Sequence, residues 1–534
     1  MIHLIDCTLR DGGHINKGVF GERVIRKIID NLVKSNVEII ELGFLKNQPY
    51  KLDTTVFSCI FDTKKVIKQT ENIEYSLLYD TKDIYDVSKL EECDGTVKHI
   101  RVSFHNYDFN NGIEFAREVI KKNYCCHVNP INLQGYSDKE LIDILGIVNE
   151  LHPHTFTIVD TFGAMTECEL NRVVAIVDNN LISDIAIGLH LHENLALSFS
   201  LAQFFIKIRP HHRNISIDGS LNGMGRVPGN LSIELIMEYL NRVYNKNYDT
   251  NPVYDAIDNY ILPLKKHSPW GYSLPYALSA QYKLHRTYAE FLVSKSKLKT
   301  NDIKNILSNV DNSQKAVYND DYIQKLYINY LSREIDDTEY QKTLLRELIK
   351  YDNILLLAPG YSLETHCKEI GQFIQKTKSV AVISANFDSY KVGIKPDYLF
   401  FSNIQRFEQL NESHGTLILT SNLLEYSSEF SFILNFRNLI IENCDNALVM
   451  LLKLLKGRKK IYTAGFDGFS KNRNYFTSAL NTTFDAITAK ENENQKIKEI
   501  LKNKFVDLDI ISLTPSLYMD EHKQFYNLED NKNK

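Results

Sequence analysis

The sequence predicts an α/β protein: an N-terminal TIM-type (β/α)8 barrel, a helical extension, and a second domain on an open parallel sheet. Three observations predict it. Eight short strand-like segments alternate with helical ones through about residue 262, the count and length of a TIM barrel. Polar residues gather at the C-terminal ends of those strands, where such barrels build their sites. A fresh strand–helix alternation starts at Asn353, and 534 residues exceed what one hydrophobic core supports. The expected division is 1–262 for the barrel, 263–350 for the extension and 351–534 for the second domain. A doubly wound sheet is the alternative for the first part, but it seldom needs eight such units.

The barrel strands are expected at 2–6, 37–44, 74–79, 97–104, 125–131, 155–160, 185–192 and 214–218. Residues 21–35 carry apolar positions at helical spacing, and further helices are expected at 110–122, 138–150, 167–179, 195–208 and 231–243. Helical stretches follow at 277–293, 301–309, 320–331 and 336–350. From Asn353 a buried strand runs into a Pro-Gly-x-Ser-Leu turn and a helix. Strands at 379–384, 397–401, 416–420, 438–441 and 459–464 complete an open parallel sheet. The tail from about 524 is polar and is expected to fray.

An apolar fraction of 43% and a charged fraction of 24% are ordinary for a globular chain. A net charge of -5 provides no broad basic field, so nucleic acid and anionic membranes are not expected partners. The eight cysteines are scattered without a CxxC, which points to a reducing compartment and no structural zinc. No secretory leader and no apolar run of about 18 residues is present, so a cytoplasmic protein without a membrane span is expected, as is a homo-oligomer.

Three stretches carry chemistry. The turn Asp6-Cys7-Thr8-Leu9-Arg10-Asp11-Gly12-Gly13-His14 is too densely charged to be buried on one face of a strand with a period of two. It either marks the strand's end as a site, with the glycines supplying turn geometry, or is a surface turn with glycine for geometry and aspartate for capping. In Gly188-Leu189-His190-Leu191-His192-Glu193-Asn194, His190 and His192 are two residues apart and face the same side. With a carboxylate from another strand they form an open, octahedral-type metal site. The loop Asp218–Asn230 is rich in glycine, which permits close backbone approach. It either cradles an anion or closes the last strand onto the last helix. In the second domain the Gly/Ser turn at 358–363 either binds phosphate through helix N–H groups or is a plain cap.

The motifs D-C-T-L-R-D-G-G-H (6–14), H-L-H-E-N (190–194) and D-G-S-x-x-G-M-G-R-x-x-G-N (218–230) together resemble the pyruvate-aldolase branch of the DRE-TIM metallolyases, the 4-hydroxy-2-oxovalerate aldolases in particular. The resemblance covers about residues 1–300. It implies that Asp11, His190 and His192 hold a divalent metal, Mn2+ or Mg2+. Arg10 would bind the oxygen of the pyruvate enolate, where a guanidinium stabilises developing negative charge. His14 would be the acid/base group for the 4-hydroxyl proton, and Asn194 a supporting polar group. The segment G-Y-x-x-x-Y (271–276) is similar to the one that opens the aldolases' helical extension, which makes Tyr272, or else Tyr276, a substrate-positioning residue. Ser103, at the end of its strand, is a further substrate-binding candidate. Acyl-CoA-using members of the superfamily usually carry Gln where this chain has His14, so the histidine favours an aldolase. No clear match extends past about residue 310 to the part of the aldolases that docks an acetaldehyde dehydrogenase.

In the second domain, A-P-G-Y-S-L (358–363), S-A-N-F (384–387), P-D-Y-L-F-F-S-N (396–403) and A-G-F-D-G-F (464–469) resemble the Rossmann-like MptE-like pterin diphosphokinase and DUF115 group. They are also similar to some sialyltransferase-like domains. The resemblance implies a nucleotide or nucleotide-sugar ligand, with Gly360, Ser362, Asn386, Ser402, Asn403 and Asp467 as candidate contacts. The expectation is therefore a metal-dependent class II aldolase joining pyruvate, or a similar 2-oxo acid, to an aldehyde, or cleaving the product. The domain pairing suggests a sugar-derived aldehyde for surface polysaccharide synthesis. The alternatives are an acyl-CoA-dependent Claisen-type synthase or lyase on the same barrel, and a nucleotide-sugar binding or transferase protein with an inactive barrel.

Overall fold

The computed structural model describes residues 1–519 apart from 69, 71, 84, 211, 296, 334, 430, 458–459, 471–474 and 476–486; the polar tail from 524 lies outside them. The chain divides into two compact units, Met1–Arg286 with Lys315–Val317, and Thr287–Gln314 with Tyr318–Lys534. No described helix is long and apolar enough to cross a membrane.

The first unit contains strands β1 (Ile2–Asp6), β2 (Ile39–Leu45), β3 (Val56–Phe57), β4 (Glu74–Asp80), β5 (His99–Phe104), β6 (Cys125–Pro130), β7 (Thr155–Asp160), β8 (Ala186–Leu191) and β9 (Ile215–Gly219). They pair in parallel in the order β1-β9-β8-β7-β6-β5-β4-β2, and pairing of β1 with β2 closes the eight-stranded barrel. The two-residue β3 adds to the end of β2. The eight barrel strands lie within two residues of their expected limits at each end.

The alternation that makes these segments strands also assigns their faces. Ile100, Val102 and Phe104 of β5, Phe156 and Ile158 of β7, Leu189 and Leu191 of β8, and Ile215 and Ile217 of β9 belong to one continuous apolar core. The residues between them are polar and equally buried: His99, Arg101, Ser103, Thr155, Thr157, His190, Ser216 and Asp218. Arg101 of β5 bonds to Glu41 of β2 and to Asp218 of β9, strands that are not its neighbours, so these side chains meet inside the barrel. Barrel interiors are usually layered with branched aliphatic residues; here much of the inner layer is polar.

The second unit holds a parallel sheet of β10 (Asn353–Leu357), β11 (Val380–Ala385), β12 (Tyr398–Phe401), β13 (Thr416–Thr420), β14 (Phe432–Leu434), β15 (Lys460–Ala464) and β16 (Asp509–Ser512). Its order is β14-β13-β12-β11-β10-β15-β16, so the chain reverses direction of addition between β10 and β15. That crevice is where open α/β sheets place ligands. One expected strand is corrected. Residues 438–441 are not a strand; Phe436–Leu439 is a helical turn capped by Asn435, whose side chain accepts from Arg437 N at 3.0 Å. The cap outcompetes the β-propensity of the Leu-Ile-Ile run, and the strand lies upstream at Phe432–Leu434. The expected helix at 277–293 is two, Leu274–Gln281 and Thr287–Ser294, interrupted where Lys283 takes φ 56.

Candidate active site

The opening turn is closed by its own side chains. Asp6 accepts from Thr8 N (3.0 Å) and Thr8 Oγ1 (2.9 Å), and Thr8 Oγ1 accepts from Leu221 N (2.8 Å), which ties the turn to the loop after β9. Residues Gly12–His14 form a 3-10 turn in which neither glycine has a positive φ. Glycine at 12 serves close approach instead: a Cβ there would lie 3.0 Å from Met224 Cγ. Gly43 has a different reason. Its φ is +153 and a Cβ would fall 1.8 Å from the Thr55 carbonyl oxygen, beside the register shift between Glu41 and Phe44.

Arg10 and Asp11 follow the turn and join a buried chain of charges. Arg10 Nε donates to Glu41 Oε2 and Nη1 to Asp11 Oδ2, both at 2.7 Å. His190 Nε2 lies 3.1 Å from Asp11 Oδ2, and His190 Nδ1 lies 2.8 Å from Asp218 Oδ2. Arg101 completes the chain, donating to Glu41 Oε1 at 3.2 Å and to Asp218 Oδ2. Three carboxylates (Asp11, Glu41, Asp218) thus face two guanidiniums (Arg10, Arg101), which leaves one uncompensated negative charge on the His190 side. His192 stands beside His190, ring centroids 4.9 Å apart, and its Nδ1 meets the Asp160 carbonyl oxygen at 2.8 Å. That bond keeps the proton on Nδ1 and leaves the Nε2 lone pair available.

The protonation states follow. Burial opposes ionisation of Asp11, yet the Arg10 guanidinium and the hydrogen bond to His190 hold its carboxyl well below the usual range. Burial also opposes charge on His190, but its bonds to Asp11 and Asp218 raise its pKa. His192 is pushed down to about 4 by burial and by its histidine neighbour, so it is a neutral imidazole. His14 is exposed at the mouth, its ring 5.3 Å from that of Phe44. Desolvation by the surrounding wall and the cations Arg10, Arg226 and Lys46 outweigh Asp11 and lower its pKa, leaving it neutral and able to accept a proton.

Asp11 and His190 are spaced as two ligands of a divalent ion are. Cis ligands of a six-coordinate ion with bonds of about 2.1 Å lie about 3.0 Å apart, close to the 3.1 Å between His190 Nε2 and Asp11 Oδ2. Cys7 also lies near Asp11 and His190, but burial holds its thiol protonated and its Sγ is committed to the Gly219 carbonyl oxygen at 3.2 Å. Asn230 forms an isolated antiparallel bridge with His192. Its Nδ2 donates to Met224 O at 3.0 Å, while its Oδ1 is buried without a hydrogen-bond partner among the described residues.

Among the expected site residues, the structure brings Arg10, Asp11, His190 and His192 together. Asn194 is buried, packed against Gly163, where a Cβ would meet its Oδ1 at 2.3 Å. Ser103 is buried at the end of β5, its Oγ 3.5 Å from the Tyr79 carbonyl oxygen. Tyr272 is 59% exposed and Tyr276 is 8% exposed. Glu41 is one of the polar strand-end residues that the sequence offers, without a role of its own; Arg101 and Asn230 are the residues that sequence reasoning did not single out. Asn230 ends the quoted glycine-rich motif, which was a usable signal; Arg101 sits inside an apolar strand and gave none.

In the second unit the six candidates all follow strand C-termini. Gly360 and Ser362 follow β10, and Asp467 follows β15, across the crevice. Ser362 donates to Asp467 through its N (2.8 Å) and its Oγ. A carboxylate therefore already takes the Ser362 N–H in the Gly/Ser turn. Asn386 Oδ1 accepts from Ser402 N at 2.9 Å, and Asn403 Oδ1 caps the next turn at Arg406 N, 3.2 Å away.

Residues 1–259 match the HMGL-like family model. A 4-hydroxy-2-oxovalerate aldolase of Rhodococcus jostii (strain RHA1) is 24% identical over 276 residues, covering 50% of this chain and 77% of its own. Methylthioalkylmalate synthase 1 of Arabidopsis thaliana is 25% identical over 291 residues, covering 48% of this chain and 53% of its own. Among solved structures, the HMG-CoA lyase from Brucella melitensis is similar with a TM-score of 0.40 at 15% identity, over 49% of this chain and 98% of that one.

Proposed function

We propose, on the premise that residues 1–259 are an HMGL-like domain, that this chain is a divalent-metal-dependent class II aldolase. It forms or cleaves a carbon–carbon bond between pyruvate, or a close 2-oxo acid, and an aldehyde. The observation that carries the reading is the buried chain Glu41–Arg10–Asp11–His190, linked at 2.7, 2.7 and 3.1 Å, with the accessible His14 close by in sequence. Asp11, His190 and His192 would hold Mn2+ or Mg2+, with Asn230 Oδ1 a further oxygen. Such an ion, when bound, polarises the 2-oxo group as a Lewis acid.

The chain's own residues do the rest. Arg10 has Nε and Nη1 committed, so its Nη2 donates to the 2-oxo oxygen as negative charge develops there. In the cleavage direction the neutral His14 imidazole accepts the 4-hydroxyl proton. The C3–C4 electron pair moves toward C2, the aldehyde departs, and protonation at C3 gives the 2-oxo acid. Condensation is the reverse. Asn194 and Ser103 contribute polar contacts to substrate. Trp270 Nε1 donates to Asn222 O and Gly271 N to Pro228 O, both at 2.8 Å. These bonds tie the chain just before Tyr272 to the glycine-rich loop, which supports Tyr272 over the buried Tyr276 as the substrate-positioning tyrosine.

For the second unit the reading is a nucleotide or nucleotide-sugar ligand at Gly360, Ser362, Asn386, Ser402, Asn403 and Asp467, supported by their place at strand C-termini. The pairing suggests a sugar-derived aldehyde for surface polysaccharide synthesis. The test for the barrel is proton exchange. With Mn2+ and pyruvate in D2O, the pyruvate methyl signal should decay, and His192→Ala or chelator should stop it. Absence of exchange, with turnover only when acyl-CoA is supplied, would transfer the assignment to Claisen chemistry.

A further inference from the structure

The barrel carries a second cluster of metal-ligating side chains, at the opposite end from Arg10 and His190. His99 is the first residue of β5, His154 immediately precedes β7, and His127 lies in the first half of β6. Three adjacent strands therefore bring three imidazoles to the N-terminal end of the barrel, the end that TIM barrels ordinarily use for stability alone. One nitrogen of each lies within 4.8 Å of the other two. His99 Nδ1 and His127 Nε2 are 2.9 Å apart, and the ring centroids of His154 are 5.5 and 5.4 Å from those of His99 and His127.

We propose that His99, His127 and His154 form a second metal site that takes a borderline divalent ion of the zinc class. Nitrogen ligands of a tetrahedral ion with bonds of about 2.0–2.1 Å stand about 3.3 Å apart, so small side-chain adjustments convert the present contacts into coordination. His99 is oriented for it: its Nε2 lies 2.6 Å from Glu74 Oε2, which places the proton on Nε2 and the lone pair on Nδ1, facing His127. A carboxylate behind a ligating histidine is the usual support of such sites. His154 Nδ1 is held by Thr155 Oγ1 at 2.7 Å, leaving Nε2 as its ligand. Burial keeps the imidazoles neutral, the form that binds metal: His154 is lowered to about 4, His99 is lowered, and His127 is far below its ordinary value.

A further observation points the same way. His99 and His127 are buried whereas His154 is exposed, which leaves an entry path and a fourth position for water. The donor set separates the two ends chemically. Three imidazoles select zinc-class ions, while the carboxylate-bearing mouth suits Mn2+ or Mg2+. The expectation of no zinc site rested on cysteines and did not address histidines brought together from separate strands.

The test uses the full chain, stripped of metal and titrated with Co2+, whose four-coordinate complexes absorb visible light far more strongly than six-coordinate ones. One equivalent should produce an intense band that is kept in His192→Ala and lost in both His154→Ala and His99→Gln. His154 is at the surface, so its truncation leaves the fold in place, and a metal-free melt of each variant checks this. Zn2+ competition against a chromophoric chelator should show a loss of more than about 100-fold in His154→Ala and about 10–100-fold in Glu74→Gln. The proposal fails if the wild-type chain gives no intense band, if the band survives both histidine variants, or if His192→Ala removes it.

Discussion

Replacing Asp218 by asparagine asks whether the buried charge network, and not the ligands alone, sets metal affinity at the barrel mouth. Asp218 Oδ2 serves both His190 Nδ1, at 2.8 Å, and Arg101. Its Oδ1 has no hydrogen-bond partner among the described residues, so the amide nitrogen of asparagine takes that place and an oxygen still faces His190. What is lost is one negative charge, which makes the carboxylate and guanidinium counts equal. Removing such support behind a ligating histidine costs about 10–100-fold in metal affinity, or about 1.4–2.7 kcal/mol. The fold is hurt less, because Arg101 keeps Glu41 at 3.2 Å. Arg101→Met, which leaves Glu41 and Asp218 without their shared cation, should reach the roughly 3–5 kcal/mol of a broken buried pair. At about 2–4 °C per kcal/mol that lowers the melting temperature by roughly 6–20 °C. Mn2+ titration by calorimetry, with melts of the metal-free variants, reads both quantities. Wild-type Mn2+ affinity in Asp218→Asn would refute the coupling between network and ligands.

His14→Gln should reduce carbon–carbon cleavage by about 10²–10⁴-fold while Mn2+ affinity stays at the wild-type value; equal loss of both would make His14 part of the site's architecture. Five histidines bear on acid stability. His99, His127, His154, His192 and His285 all titrate below their ordinary value in the folded chain, with burial the largest cause in each. Below about pH 6.5 the unfolded chain binds more protons at these positions, so the stability they contribute is full above that pH and lost as pH falls toward about 4. His190, raised by its carboxylates, and the buried Asp6 and Asp160, both pushed up to about 7 by desolvation, contribute in the opposite sense, so the histidine contribution is read from a variant. His154→Ala should therefore lose less stability than the wild-type chain as pH falls from about 7 to 5 in metal-free melts, and superimposable pH profiles would contradict it.

The barrel was legible because each strand is apolar on the face that meets the helices, and that face alone sets the period. The opening turn and the His190–His192 pair were legible because their chemistry is local. Arg101 was not. Within His-Ile-Arg-Val-Ser-Phe a lone charge reads as the solvent side of a strand, and its partners are 60 and 117 residues away. The histidine cluster was hidden for the same reason: His99 and His127 are 28 residues apart and share no motif. Residues 438–441 failed differently, because a capping side chain overrode a propensity that looked decisive in isolation.

The polar interior is itself an argument about function. Exchanging buried ion pairs for well-packed apolar groups is often neutral or stabilising by about 1–4 kcal/mol, so stability alone would have lined this barrel with aliphatic side chains. Arg101, among the largest fully buried side chains of the molecule, is instead a cation held between Glu41 and Asp218. The outward faces of the strands, with Ile100, Val102, Ile158, Leu189 and Ile217 in one apolar layer, carry the packing that tolerates it. Fixed charges in a dry interior need no reorganisation when a substrate gains negative charge. In the proposed reaction Glu41, bonded to Arg10 Nε, would lock that guanidinium in place, and Asp218, bonded to His190 Nδ1, would do the same for His190. On that proposal the network serves as the support of the mouth residues more than as a source of stability.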